Sequence, residues 1–131
     1  MIEILLLDDE PDLQEITFVH LTKKYKNINI TNASSGNEGI SLLTGGQKFD
    51  FNISDFNMPN GNGIDLLKFK TAFGYPGYFI LYTSQLYVDV PENSDPSFLG
   101  VVEKFNSDKL FDCISEAIEK SQILKIKYES Q

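Results

Sequence analysis

The chain has one cysteine and one histidine among its 131 residues. A single thiol excludes an internal disulfide framework and is compatible with a reducing compartment. Basic residues are also scarce: 11 Lys and Arg against 19 Asp and Glu give a formal net charge of −8. Nucleic-acid affinity comes largely from Lys and Arg neutralising phosphates, so no direct nucleic-acid contact is expected, nor attraction to an anionic membrane surface. Long apolar runs are missing too. The longest uninterrupted aliphatic run, Ile4–Leu7, is far short of the roughly 20 residues a membrane helix needs. The opening MIEILLLDDE has no basic segment ahead of its apolar run and carries charge directly after it, unlike a signal peptide. A cytoplasmic chain with no membrane attachment is expected.

What remains suits one packed domain: 41% apolar residues in 14.8 kDa, with no internal repeat and no dividing linker. Apolar runs of strand length alternate with helix-like segments. Ile2–Leu7 reads as a strand buried on both faces. Pro11 suits the first turn of a helix, with Asp12 and Glu15 near its positive end and Lys23, Lys24 and Lys26 towards its negative end. Leu13, Ile16, Val19 or His20, and Lys23 trace its expected inner face, with Phe18 and Leu21 beside it. Further strands are expected over Ile28–Ala33, Phe49–Ser54, Tyr78–Tyr82 and Gly100–Glu103, and helices over Gly36–Leu43, Gly63–Phe73 and Ser107–Ser121. Residues 85–99, QLYVDVPENSDPSFL, fill the slot of a fourth helix, yet Pro91 and Pro96 allow only a short or distorted one. The tail from residue 123 to 131 reads as a helix extension or the start of a linker after a domain over 1–122.

Strands alternating with helices imply right-handed crossovers and a parallel sheet covered on both faces. In such sheets ligands bind outside the carboxyl ends of the strands. Asp8 and Asp9 follow strand one, Asp55 strand three, Thr83 and Ser84 strand four, and Glu103 and Lys104 strand five. Carboxylates gathered in a half-buried crevice repel one another unless something positive intervenes. A hard divalent cation with oxygen ligands resolves this, and Mg2+ keeps waters for a phosphate-bearing partner. The lack of Cys or His at these strand ends argues against zinc. One carboxylate can then attack phosphorus and form an acyl phosphate, with a lysine and a hydroxyl on the phosphoryl oxygens. Asp55, Lys104 and Thr83 fit those roles.

These residues make the chain resemble the receiver domain of two-component response regulators, most of all the single-domain chemotaxis type. The likeness rests on Asp8-Asp9, on DFNMPNGNG from Asp55 to Gly63 (the family's D-x-x-M-P-x-x-x-G), on Thr83 and on Lys104, in order over essentially the whole chain. It implies a flavodoxin-like (βα)5 doubly wound sheet of five parallel strands in the order 2-1-3-4-5. It also implies that Asp55 accepts a phosphoryl group from a histidine kinase or histidine phosphotransfer protein. Asp9 and Asp55 would ligate Mg2+ with the backbone carbonyl of Asn57, and Asp8 would act largely through metal-bound water. Lys104 would pair with the phosphoryl oxygens, and Thr83 would hydrogen-bond them and report the phosphoryl group to a downstream protein. The resemblance makes the chain a signalling phosphoacceptor that assists its own phosphotransfer and dephosphorylation, not an enzyme acting on other substrates.

Two departures stand out. The family's lysine usually precedes proline in a cis peptide, whereas Phe105 follows Lys104. A cis bond before a non-proline residue costs about 2.5–4 kcal/mol. A trans peptide, or a strained cis one, is therefore expected, and either bears on where Lys104 sits. Val101 occupies the place of the family's switch aromatic, three positions before that lysine. Both departures support an alternative reading, an atypical receiver that binds protein partners without phosphorylation. An Mg2+-dependent aspartyl-phosphate phosphatase is disfavoured, because DDEPD lacks the D-x-D-x-T pattern of those enzymes. Away from the strand ends, His20 reads as a helix-end residue and Cys113 as a small apolar residue of the last helix. Phe73, Tyr75, Tyr78, Phe79, Tyr82 and Tyr87 read as core and rim packing, with Tyr82 and Tyr87 the alternative as an exposed partner surface.

Overall fold

The computed structural model describes residues 1–85, 87–90 and 95–130. Its elements run β1 (Ile2–Leu7), α1 (Pro11–Lys24), β2 (Ile28–Ala33), α2 (Gly36–Thr44), β3 (Phe51–Ser54), α3 (Gly63–Phe73), β4 (Tyr78–Thr83), β5 (Phe98–Glu103), α4 (Ser107–Lys120) and α5 (Gln122–Glu129). The strands form one sheet in the order β2-β1-β3-β4-β5, every pair parallel. Strand alternation splits the core in two. Ile4, Leu6, Ile53, Ile80 and Val102 face α1, α4 and α5, while Leu5, Leu7, Phe79 and Leu81 face α2 and α3. With both faces covered, β1 and β4 carry apolar residues at nearly every position, while the short central strand β3 alternates buried Phe51 and Ile53 with buried Asn52 and Ser54. Among the described residues no helix is long and apolar enough to cross a membrane.

Helix α1 presents a different face from the one its apolar spacing suggests. Thr17 and Leu21 are buried, whereas Ile16 and Val19 are 41% and 37% exposed. The inner face is partly polar because polar groups there have partners. Gln14 Nε2 donates to the carbonyls of Leu6 (3.0 Å) and Ala33 (2.9 Å), and the Thr17 hydroxyl donates to Leu13 O (3.2 Å). Satisfied in this way, they cost little to bury. Strand boundaries also shift. β3 begins at Phe51 rather than Phe49, and β5 begins at Phe98, two residues before Gly100.

No helix forms among the described residues between β4 and β5; positions 86 and 91–94 of the expected fourth-helix slot lie outside the described residues. The crossover is fixed at its far end instead. Phe79 N donates to Ser97 O (2.9 Å), Ser97 N to Asp95 Oδ1 (2.9 Å), and Lys70 Nζ on α3 to Ser97 Oγ (2.9 Å). Lys70 is 1% exposed. Burial lowers its pKa from the ordinary 10.5, against a smaller opposing pull from Asp95. The unfolded chain therefore binds that proton more tightly, and stability rises with pH from the lowered value up to 10.5. Lys70→Met is expected to stabilise the protein at neutral pH by about 1 kcal/mol, since an apolar side chain of similar length replaces a buried charge. That advantage shrinks as pH climbs towards 10.5. Urea unfolding of both proteins at neutral pH and near pH 10 checks this; a difference independent of pH would contradict it.

After α4 the chain breaks at Ser121, whose Oγ accepts from Leu124 N (3.2 Å) and caps a separate helix, α5. Leu124 is buried, Tyr128 packs edge-on against Tyr25, and Lys127 Nζ pairs with Asp50 (2.7 Å). Residues 122–129 thus pack onto the sheet's α1 side as part of the folded body.

Candidate functional site: an acidic pocket at the strand ends

Asp8, Asp55 and Lys104 each stand one residue beyond a strand and are held by hydrogen bonds that continue the sheet. Asp8 N donates to Ala33 O (3.1 Å), Asp55 N to Leu7 O (2.9 Å) and Lys104 N to Thr83 O (2.9 Å). Asp8 is buried; its Oδ1 accepts from Glu10 N (3.0 Å). Asp55 Oδ1 accepts from Phe56 N (2.7 Å). Lys104 Nζ lies between the two carboxylates, 2.6 Å from Asp8 Oδ2 and 2.7 Å from Asp55 Oδ2. Burial alone would pull the Lys104 ammonium below its ordinary pKa. Hydrogen bonds and charge from Asp55 and Asp8 outweigh that effect and hold it above. Lys104 is therefore a permanent cation at physiological pH.

Asp9 completes the cluster: one oxygen from each of Asp8, Asp9 and Asp55 lies within 4.8 Å of the others. Asp8 and Asp55 share one ammonium, and among the described residues Asp9 has no ion-pair partner. An all-oxygen donor set with excess negative charge fits a hard divalent cation such as Mg2+. Asn57 is exposed on the loop after β3, and its Nδ2 donates to Gln85 Oε1 (3.1 Å). Thr83 is buried at the end of β4, and its hydroxyl accepts from Gln85 N (3.2 Å). The structure thus brings Asp8, Asp9, Asp55 and Lys104 together. Thr83 stands at the adjacent strand end with its hydroxyl engaged by Gln85 rather than by the carboxylates.

The loop carrying Asp55 is shaped by its turn-formers. Asn60 (φ 57°) and Gly61 (φ 98°) take left-handed conformations, Met58 is buried under α2 and α3, and Asn62 begins α3 with a capping box completed by Asp65. Gly63 must lack a side chain for a different reason. A Cβ there would stand 2.5 Å from Asp55 O and 2.8 Å from Leu81 Cδ2. Gly63→Ala is expected to destabilise the fold by about 1–3 kcal/mol, the usual range for overpacking. It is also expected to weaken Mg2+ binding, because the carbonyl it displaces belongs to the Asp55 backbone; urea unfolding and Mg2+ titration read both effects. Wild-type stability with wild-type Mg2+ affinity would contradict it.

Sequence reasoning passed over several contributors. Ser54, fully buried, donates from Oγ to Asp55 O (2.8 Å), and Gln85 spans from Thr83 to Asn57. Tyr82 is buried, not exposed, and its hydroxyl accepts from Phe105 N (2.8 Å), while Tyr87 is 90% exposed. The Lys104–Phe105 peptide is trans, as no cis bond occurs among the described residues, and Lys104 still reaches the carboxylates. Val101 is half-buried against the α2–α3 side.

Comparison with known proteins places this geometry. A family model described as the response regulator receiver domain matches residues 4–114. The response regulator SaeR of Staphylococcus aureus is 35% identical over 68 residues, which span 52% of this chain but only 28% of that protein's own length. The response regulator protein TrrA from Thermotoga maritima, solved in complex with Mg2+–BeF, superposes with a TM-score of 0.76 at 26% identity, covering 88% of this chain and 98% of that one. The signal receiver domain of a putative LuxO repressor protein from Vibrio parahaemolyticus gives a TM-score of 0.77 over 98% of each chain; at 18% identity it speaks to the fold alone. The family match begins inside β1 and runs into α4, across all the strand ends that carry the pocket. On that match the chain belongs to the receiver domains of two-component response regulators.

Proposed function

We propose that the chain is a phosphoacceptor, in which Asp55 takes a phosphoryl group from a phosphohistidine on a histidine kinase or histidine phosphotransfer protein, with Mg2+ bound. One observation carries this reading: the Lys104 ammonium lies 2.7 Å from Asp55 and 2.6 Å from Asp8, with Asp9 completing the acidic cluster. Asp9, Asp55 and the Asn57 carbonyl would hold the cation directly, and Asp8 through water. When bound, Mg2+ offsets charge on the phosphoryl oxygens and tempers repulsion among the carboxylates. An Asp55 carboxylate oxygen attacks phosphorus in line with the bond to the donor's imidazole nitrogen. That bond breaks, the imidazole leaves with the electron pair, and an acyl phosphate remains on Asp55. Lys104 pairs with the transferred oxygens, and the Thr83 hydroxyl donates to one of them.

In this reading the chain turns over no external substrate. It acts in the cytoplasm, contacts no nucleic acid directly at its net charge of −8, and passes its state to a downstream protein. A second reading, a protein-binding module indifferent to phosphorylation, draws on Val101 and on the lack of helix among the described residues of the β4–β5 crossover. Intact-protein mass after incubation with a small acyl-phosphate donor, with and without Mg2+, separates the two. One added phosphoryl group that requires Mg2+ supports the phosphoacceptor; no adduct and no Mg2+ binding supports the module.

A further inference from the structure

The turn after Lys104 has an unusual conformation. Phe105 is not glycine, yet its φ is +70°. Outside glycine, asparagine and aspartate this left-handed region is costly. The phenyl ring does not repay that cost by burial, since Phe105 is 50% exposed. The backbone is held instead. Phe105 N donates to the buried Tyr82 hydroxyl (2.8 Å), and Asn106 N closes the turn on Glu103 O (3.0 Å). Asn106 Oδ1 then caps α4 by accepting from Lys109 N (3.3 Å).

Tyr82 is next to Thr83 at the end of β4, with its ring in the core between the sheet and the α1–α4 side. Its hydroxyl reaches under the β5–α4 turn and grips the amide immediately after Lys104. A proline at position 105 would have no N–H to offer. Here phenylalanine supplies a donor, and a tyrosine in the neighbouring strand supplies the acceptor. Resting on the phosphoacceptor reading, we infer that Tyr82 is a positioning residue. Through the Phe105 amide it fixes the backbone that aims Lys104 at Asp55 and Asp8, in a turn that lacks proline. The strand presenting Thr83 thereby also sets the reach of the lysine.

Tyr82→Phe removes only the hydroxyl and keeps the ring packed. Three results are expected of it. Hydrogen exchange of the Phe105 amide quickens in the metal-free protein. Phosphoryl uptake from a small acyl-phosphate donor slows about threefold to tenfold, the worth of one ordinary hydrogen bond. Mg2+ binds somewhat tighter, because a looser Lys104 competes less for the carboxylates, with a smaller gain than in Lys104→Met. Two backgrounds separate positioning from general support of the fold. Added to Lys104→Met, the tyrosine change has no further effect on uptake. Added to Phe105→Gly, its effect falls below half, since glycine adopts a positive φ unaided.

An amide equally protected in Tyr82→Phe would overturn the inference. So would wild-type uptake and Mg2+ affinity in that variant, or an undiminished slowing in the Lys104→Met background. If the wild-type protein takes up no phosphoryl group at all, the proposed function fails. The exchange and Mg2+ measurements then decide this inference without it.

Discussion

Lys104→Met is expected to lower the stability of the metal-free protein by about 3 kcal/mol, the lower end for breaking a buried ion pair from one side. The lysine stands 2.6 Å from Asp8 and 2.7 Å from Asp55, and all three side chains are largely withdrawn from solvent. Methionine has similar length and no charge. It leaves Asp8, Asp9 and Asp55 with oxygens within 4.8 Å of one another and no cation between them. The loss falls at the low end of the range because the two carboxylates paired with Lys104 each keep a second partner: Glu10 N–H on Asp8 and Phe56 N–H on Asp55. Added Mg2+ is expected to restore much of the loss, since a ligand that binds only the folded state stabilises it by mass action. Urea unfolding with EDTA and with excess Mg2+ tests both parts. Equal stability of variant and wild type in EDTA would sink the argument, as would an equal Mg2+ increment in the two proteins.

The second large effect concerns Asp55. Asp55→Asn is expected to reduce phosphoryl uptake from one group per chain to none, with Mg2+ and donor present. The amide is nearly the same size and can still accept from Phe56 N, as Oδ1 does at 2.7 Å. It lacks the anionic oxygen to which the proposed function assigns the attack on phosphorus. The variant is also expected to bind Mg2+ more weakly, having lost one carboxylate of the cluster, while folding normally. Lys104 keeps its 2.6 Å contact with Asp8. Intact mass spectrometry of the two proteins side by side reads uptake directly. An adduct of equal stoichiometry on the variant would move the acceptor to another residue and undo the assignment.

The gathering of the pocket's side chains was legible because each needs only a residue type and a strand end. Asp8-Asp9, Asp55, Thr83 and Lys104 each follow an apolar run, and a parallel sheet brings the carboxyl ends of its strands to one edge. The sheet order was legible through the same residues, by way of the family they resemble. Less could be read where polar groups are buried. Ile16 and Val19 have the spacing of a core face, yet Gln14 and Thr17 lie on the inner side. Apolar periodicity cannot register a glutamine that answers two strand carbonyls. Tyr82 was hidden likewise: an aromatic in a strand reads as packing, and nothing local marks its hydroxyl as the acceptor for an amide 23 positions along the chain.

The sequence by itself thus determined the class of fold, the edge where the site lies and which charged side chains meet there. Those follow from short-range patterns of strand, turn and carboxylate. Only the tertiary structure decided which face of α1 is buried, that Lys104 reaches both carboxylates from a trans turn, and that Tyr82 holds that turn. Each of these depends on hydrogen bonds between elements distant in sequence. Such bonds are set by the three-dimensional positions of buried donors and acceptors that must be paired, and no periodicity encodes them.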